Sequence, residues 1–206
     1  DLSKGSISGV GSAGEYDGFS QSLDVSGITV KDEYKVDVNS NDYTVYSKSG
    51  VNAGDELYVT ITAKEGSGYE GSITSTPVEI EKRTRQPGDV IASVKEGLTY
   101  QYTGSKIQID KENVALTESK SENNGADGKL RGDDLSSVIT KAETQDSSVG
   151  SHLVQVYFDT SKLDNFKDQG ERNIPTKQKV TIEKRDLSNM IIYLTYGAMA
   201  SESSQK

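Results

Sequence analysis

The chain repeats itself, and this limits its architecture more than any other feature of the sequence. Tyr16-Asp17-Gly18 is echoed by Tyr102-Thr103-Gly104, and Asp42-Tyr43-Thr44-Val45 more loosely by Asp134-Leu135-Ser136-Ser137-Val138. Ile80-Glu81-Lys82-Arg83 returns unchanged as Ile182-Glu183-Lys184-Arg185. The offset between matching segments grows along the chain, so the second copy carries insertions spread over several loops. Asp1-Leu2-Ser3 then reappears as Asp186-Leu187-Ser188, directly after the second Ile-Glu-Lys-Arg. These marks set one unit at 1–83 and a second, with longer loops, at 84–185. The stretch 186–206 is the start of a third repeat or a C-terminal strand. Tandem units of this size are the sign of an array, whose function belongs first to geometry and then to chemistry.

Within each unit the apolar period is two. Leu57, Val59, Ile61 and Ala63 share one face of their segment, and Tyr58, Thr60 and Thr62 the other. Val154, Val156 and Phe158 alternate with Gln155 and Tyr157; Val78 and Ile80, and Val180 and Ile182, alternate with polar neighbours. Alternation rich in Val, Ile, Thr and Tyr marks half-buried antiparallel strands. Turn clusters such as Lys48-Ser49-Gly50, Asn52-Ala53-Gly54-Asp55 and Glu65-Gly66-Ser67-Gly68 lie between them. The pattern predicts an all-β chain of two β-sandwiches, each with about seven strands in two facing sheets. The nearest helical candidate, Asp133–Ala142, is weakly periodic and reads equally as a strand. Arg85-Gln86-Pro87-Gly88 reads as a hinge between units otherwise joined by short linkers, and the expected shape is an elongated rod.

The charge balance sorts partners. A net charge of −9 argues against nucleic acid, whose binding needs a basic face that releases counterions. The longest basic cluster is Glu81-Lys82-Arg83-Thr84-Arg85. No apolar run approaches the length that spans a bilayer, so no membrane insertion is expected of this segment. No charged-then-apolar leader opens the sequence, which suits a mature or excised fragment. With 0 cysteines there are no disulfides, thiol nucleophiles or thiolate metal sites. An acidic, cysteine-free repeat points to a bacterial surface, with the cytosol as the alternative.

The Tyr-x-Gly after a first strand, the Gly132-Asp133-Asp134-Leu135 segment and the closing Val180–Arg185 strand resemble the tandem immunoglobulin-like repeats of large bacterial surface proteins and adhesins. The closest are those named for a Tyr-Asp-Gly signature. The resemblance implies two tandem immunoglobulin-like modules and a stalk or adhesin segment, cell-surface or secreted, and it implies no catalytic residues. The first unit departs from the pattern, with Ser40-Asn41-Asp42-Tyr43 in place of Gly-Asp-Asp-Leu.

Few residues offer chemistry. Asn123–Leu135 resembles a calcium loop, with Asn123, Asp127 and Asp134 as the oxygen donors and calcium as the one cofactor to consider. Gly125 fails at the third position, and the bland alternative is an inserted acidic loop. Arg131-Gly132-Asp133 matches a tripeptide of integrin ligands, but the repeat explains it equally well. His152 is the single histidine, so a multi-histidine metal site is impossible. A nucleophile–base pair would need it held by a third group, and the expected role is a capped or solvent-facing strand residue. A glycosidase would need a paired carboxylate in a cleft. A Lys–Asn or Lys–Asp cross-link beside a buried acid would suit a cysteine-free stalk, yet no spacing singles out a trio.

The function expected is therefore a non-catalytic structural or adhesive segment acting as stalk or spacer. The alternative is a binding module that grips a glycan or protein of a host or neighbouring cell. Tyr43, Tyr46 and Tyr58 in the first unit, or Tyr100 and Tyr157 in the second, would supply its aromatic faces. Residues 190–196 read as a β-prone strand that would need covering, by the second unit or by self-association.

Overall fold

The computed structural model describes residues 1–188. The proposed strand at 190–196 and the rest of 189–206 lie outside the described residues. Elsewhere the chain is all-β, with several small sheets and five 3₁₀ turns.

Residues 1–83 contain seven strands. β1 (Ser6–Ser8) pairs with β2 (Thr29–Lys31), and β3 (Tyr43–Ser47), β5 (Val59–Ala63) and β6 (Ser72–Thr74) form a sheet in the order β3-β5-β6. β4 (Glu56–Leu57) pairs with β7 (Val78–Glu79). Residues 84–185 contain six strands in two sheets. β8 (Val90–Val94) pairs with β10 (Val114–Glu118), while β9 (Thr99–Gln101), β11 (Ile139–Thr144), β12 (Gly150–Asp159) and β13 (Glu171–Glu183) run in the order β11-β12-β13-β9. The first unit thus builds three small sheets where two were expected. The helical candidate at 133–142 resolves into a 3₁₀ turn at Ser136–Val138 followed by β11. Its β-branched Val138, Ile139 and Thr140 favour the strand.

The alternation read from the sequence is the alternation of burial. Leu57, Val59 and Ile61 are sealed from solvent, as are Val154, Val156 and Phe158, and Ile80 and Ile182 are nearly so. A proline stands at the matching place in each unit. Pro77 stands between β6 and β7, and lacking an N–H it cannot extend the ladder. Its counterpart Pro175 lies inside β13, beside a register shift at Leu153/Gln155. A hydroxyl mends the ladder in each unit. The Val59 N–H donates to Ser75 Oγ at 3.0 Å, and the Val154 N–H to Thr176 Oγ1 at 3.1 Å.

The repeated motifs share a geometry. The Tyr16 N–H donates to the Glu81 carbonyl at 2.8 Å and the Tyr102 N–H to the Glu183 carbonyl at 2.9 Å. Each bond ties a Tyr-x-Gly to the glutamate of its own Ile-Glu-Lys-Arg, with the two segments parallel. Gly18 and Gly104 have φ of +84° and +81°, the left-handed conformation that glycine adopts without a Cβ penalty. The third opening follows the first: Asp1 Oδ1 accepts the Ser3 N–H, and Asp186 Oδ1 accepts the Ser188 N–H.

Candidate functional site

A buried polar arrangement joins residues 1–83 to residues 84–185. Tyr16 leaves the first unit fully buried, and its hydroxyl donates to Glu118 Oε1 at 2.9 Å, with Oε2 at 3.1 Å. Glu118 ends β10 and is 2% exposed. The Phe166 ring meets Tyr16 edge to face, centroids 5.9 Å apart, an arrangement favoured by the aromatic quadrupole. Burial pushes the Glu118 carboxyl above its ordinary value, although the Tyr16 hydrogen bond pulls the other way. Burial also raises the Tyr16 phenol, and the neighbouring Glu118 charge adds to this. The hydroxyl therefore stays protonated and acts as a donor.

Backbone and side-chain bonds close around this centre. The Arg83 N–H donates to the Asn165 carbonyl and the Lys167 N–H to the Arg83 carbonyl, each at 2.9 Å. Asn165 Oδ1 accepts the Ala53 N–H at 2.9 Å, and Lys167 pairs with Glu15 at 2.8 Å. Gly18 lies so close to the second unit that a Cβ there would sit 2.8 Å from the Arg131 nitrogen. The expected hinge is tied down at the same place. Arg83 makes a two-pronged bond to Asp89 at 2.8 and 2.9 Å, and Asp89 also accepts the Gln86 N–H at 2.7 Å.

None of Glu118, Phe166, Asn165 and the Arg83–Asp89 pair was singled out by sequence reasoning. One signal was available: in Val114-Ala115-Leu116-Thr117-Glu118 the glutamate takes the inward parity of Val114 and Leu116, where an apolar residue is the default.

The proposed tyrosine platform is divided. Tyr43 is 8% exposed and belongs to the core, one strand position out of step with Tyr46, which is 61% exposed. Tyr46 pairs with Thr60, and Tyr58 precedes Thr60 by two, so Tyr46 and Tyr58 share the outer face. Lys48 lies over the Tyr58 ring, 5.1 Å from its centroid. In the second unit, Tyr100 packs against the core beside Ile182, whereas Tyr157 alternates with buried Val156 and Phe158. Tyr157 donates to Glu143 at 3.1 Å under the Lys141 ammonium. The structure does not bring Tyr100 and Tyr157 onto one face.

The acidic loop is organised by its own hydrogen bonds. Asp127 Oδ1 accepts from Ser121 Oγ at 2.9 Å and from the Lys129 N–H at 3.1 Å, and Asp134 Oδ1 accepts the Ser136 N–H at 2.9 Å. The Lys129 N–H and the Ser136 side chain, respectively, hold these carboxyls below their usual range. Asn123 contributes its carbonyl to the Ala126 N–H. Among the described residues no three His, Cys, Asp or Glu side chains gather as a metal site. Arg131 folds back onto Asp133 within the Arg-Gly-Asp tripeptide. His152 Nε2 bonds the Ser148 carbonyl at 2.7 Å. Buried Asp89, Glu118 and Glu143 are partnered by Arg83, Tyr16 and Lys141 respectively. No helix among the described residues is long and apolar enough to cross a membrane. No protein-family profile and no curated protein matches the sequence.

Proposed function

We propose that this chain is a non-catalytic stalk or spacer segment: two immunoglobulin-like β-sandwich repeats locked end to end in a bacterial cell-surface or secreted protein. The observation that carries the reading is the Tyr16–Glu118–Phe166 junction. A flexible tether between repeats needs no buried phenol–carboxylate contact, whereas a spacer that must hold its direction does. Repetition of Tyr-x-Gly and Ile-Glu-Lys-Arg supports the array, and the cysteine-free acidic composition together with the family resemblance supports the location. Small-angle scattering and NMR relaxation on the full chain test the reading. One elongated body with a common tumbling time is expected. Two independently tumbling units, or a compact globule, would retire it.

A second reading is favoured by one observation, the shared outer face of Tyr46 and Tyr58. Such a pair can stack on a sugar ring or a partner side chain. Loss of binding to a glycan array on Tyr46→Ala would support it, and an array with no hits would remove it.

A further inference from the structure

The two Tyr-x-Gly motifs have the same backbone setting and opposite surroundings. Tyr16 is fully buried under the second unit, while Tyr102 is 40% exposed. A Cβ on Gly18 would collide with the second unit, whereas a Cβ on Gly104 would meet nothing within 4 Å. Exposed Val149 and Leu187 flank Tyr102 and, with Gly104, Lys184 and Arg185, line a shallow apolar depression. Leu2, the counterpart of Leu187, is fully buried in its own unit and donates its N–H to the Glu70 carbonyl. Leu187 takes the same Asp-capped turn without such cover among the described residues.

We propose that the Tyr102 face is the seat of a further repeat unit, joined through Asp186–Ser188, which closes over Tyr102 as residues 84–185 close over Tyr16. This rests on the stalk reading and extends it to a defined surface. Chain continuity favours this occupant: the repeated opening Asp186-Leu187-Ser188 follows Lys184 and Arg185 directly at the depression, and Leu187 is part of its lining. A second copy of this chain is the poorer fit, because its Glu118 carboxylate is already taken by its own Tyr16.

The test is a chain in which residues 84–185 are repeated in tandem after Ser188, so that Asp186–Ser188 remain as the joint. Tyrosine nitration, read residue by residue by mass spectrometry, is compared between this chain and the 206-residue chain. The expected result is that Tyr102 reacts in the shorter chain and becomes as unreactive as Tyr16 in the longer one. Gly104→Val should restore its reactivity in the longer chain while Tyr16 stays protected, which shows that the fold survives. Equal Tyr102 reactivity in both chains would overturn the proposal. So would protection of Tyr102 in the 206-residue chain, which would assign the seat to residues 189–206. If Tyr16 itself is nitrated in the shorter chain, the stalk reading fails; if Tyr16 is protected and Tyr102 reactive throughout, the seat alone does.

Discussion

The Tyr16 hydroxyl bonds the Glu118 carboxylate at 2.9 Å from the other repeat, and both groups are shut away from water. The bond couples a surface motif of one unit to the last inward position of a strand in the next, so the junction behaves as core. Removing the hydroxyl should therefore cost more than a surface hydrogen bond. Tyr16→Phe leaves a buried carboxylate without its donor, and urea unfolding should show a loss of about 1–3 kcal/mol. Tyr16→Ala also opens a cavity and should cost about 3–5 kcal/mol. Two variants within experimental error of the parent would mean that the junction does not contribute to stability.

Acid should tighten the junction. Burial raises the folded-state pKa of Glu118 above the ordinary 4.5, so the folded protein holds this proton more firmly than the unfolded chain. That contribution is fully present below the unfolded value and is lost as pH rises through the folded one. Carboxyls with lowered values, such as Asp55 beneath the Val51 and Asn52 N–H groups, contribute in the opposite sense. Subtracting the melting curve of Glu118→Gln isolates the single group. The difference, parent minus variant, should fall as pH increases from 4.5. A difference that rises with pH would contradict the burial argument.

The two glycines should respond unequally to alanine. Both have positive φ, which costs a non-glycine residue about 1–2 kcal/mol. Gly18→Ala adds a clash with the Arg131 backbone that Gly104→Ala does not meet. Differential scanning calorimetry should show the larger drop in Tm for Gly18→Ala. Equal drops would place the two motifs in equivalent surroundings.

Arg83 and Asp89 should prove strongly coupled. The Asp89 side chain is 5% exposed, and Arg83 is the ion-pair partner of that carboxylate. Removing one partner strands a buried charge at about 3–5 kcal/mol, whereas removing both is much milder. In a double-mutant cycle, Arg83→Met with Asp89→Leu should be more stable than either single variant. Additive losses would mean that the pair acts as two independent surface charges.

Alternation and repetition carried the class and the internal equivalences into the sequence. Val59 and Ile61, or Val154 and Val156, face inward because successive side chains of a strand point to opposite sides, a rule that needs only local backbone. The same parity marks Glu118 as an acid in an apolar slot, whereas Tyr43, grouped with Tyr46 as an exposed ring, is turned inward although Val45 of the same parity is exposed. The matching capped turns at Asp1 and Asp186 are equally local, since an aspartate bonds an N–H two residues on. The fates of Tyr16 and Tyr102 were not written there. Two nearly identical tripeptides with the same φ and the same tie to Ile-Glu-Lys-Arg differ in burial, because Phe166 and Glu118 arrive from residues far along the chain. The bonds across 85–88 were not written there for the same reason: Pro and Gly report what the local backbone permits, whereas Arg83, Asp89 and Asn165 decide what is held. Burial at a junction is a property of two surfaces meeting, and tertiary structure alone brings the second one.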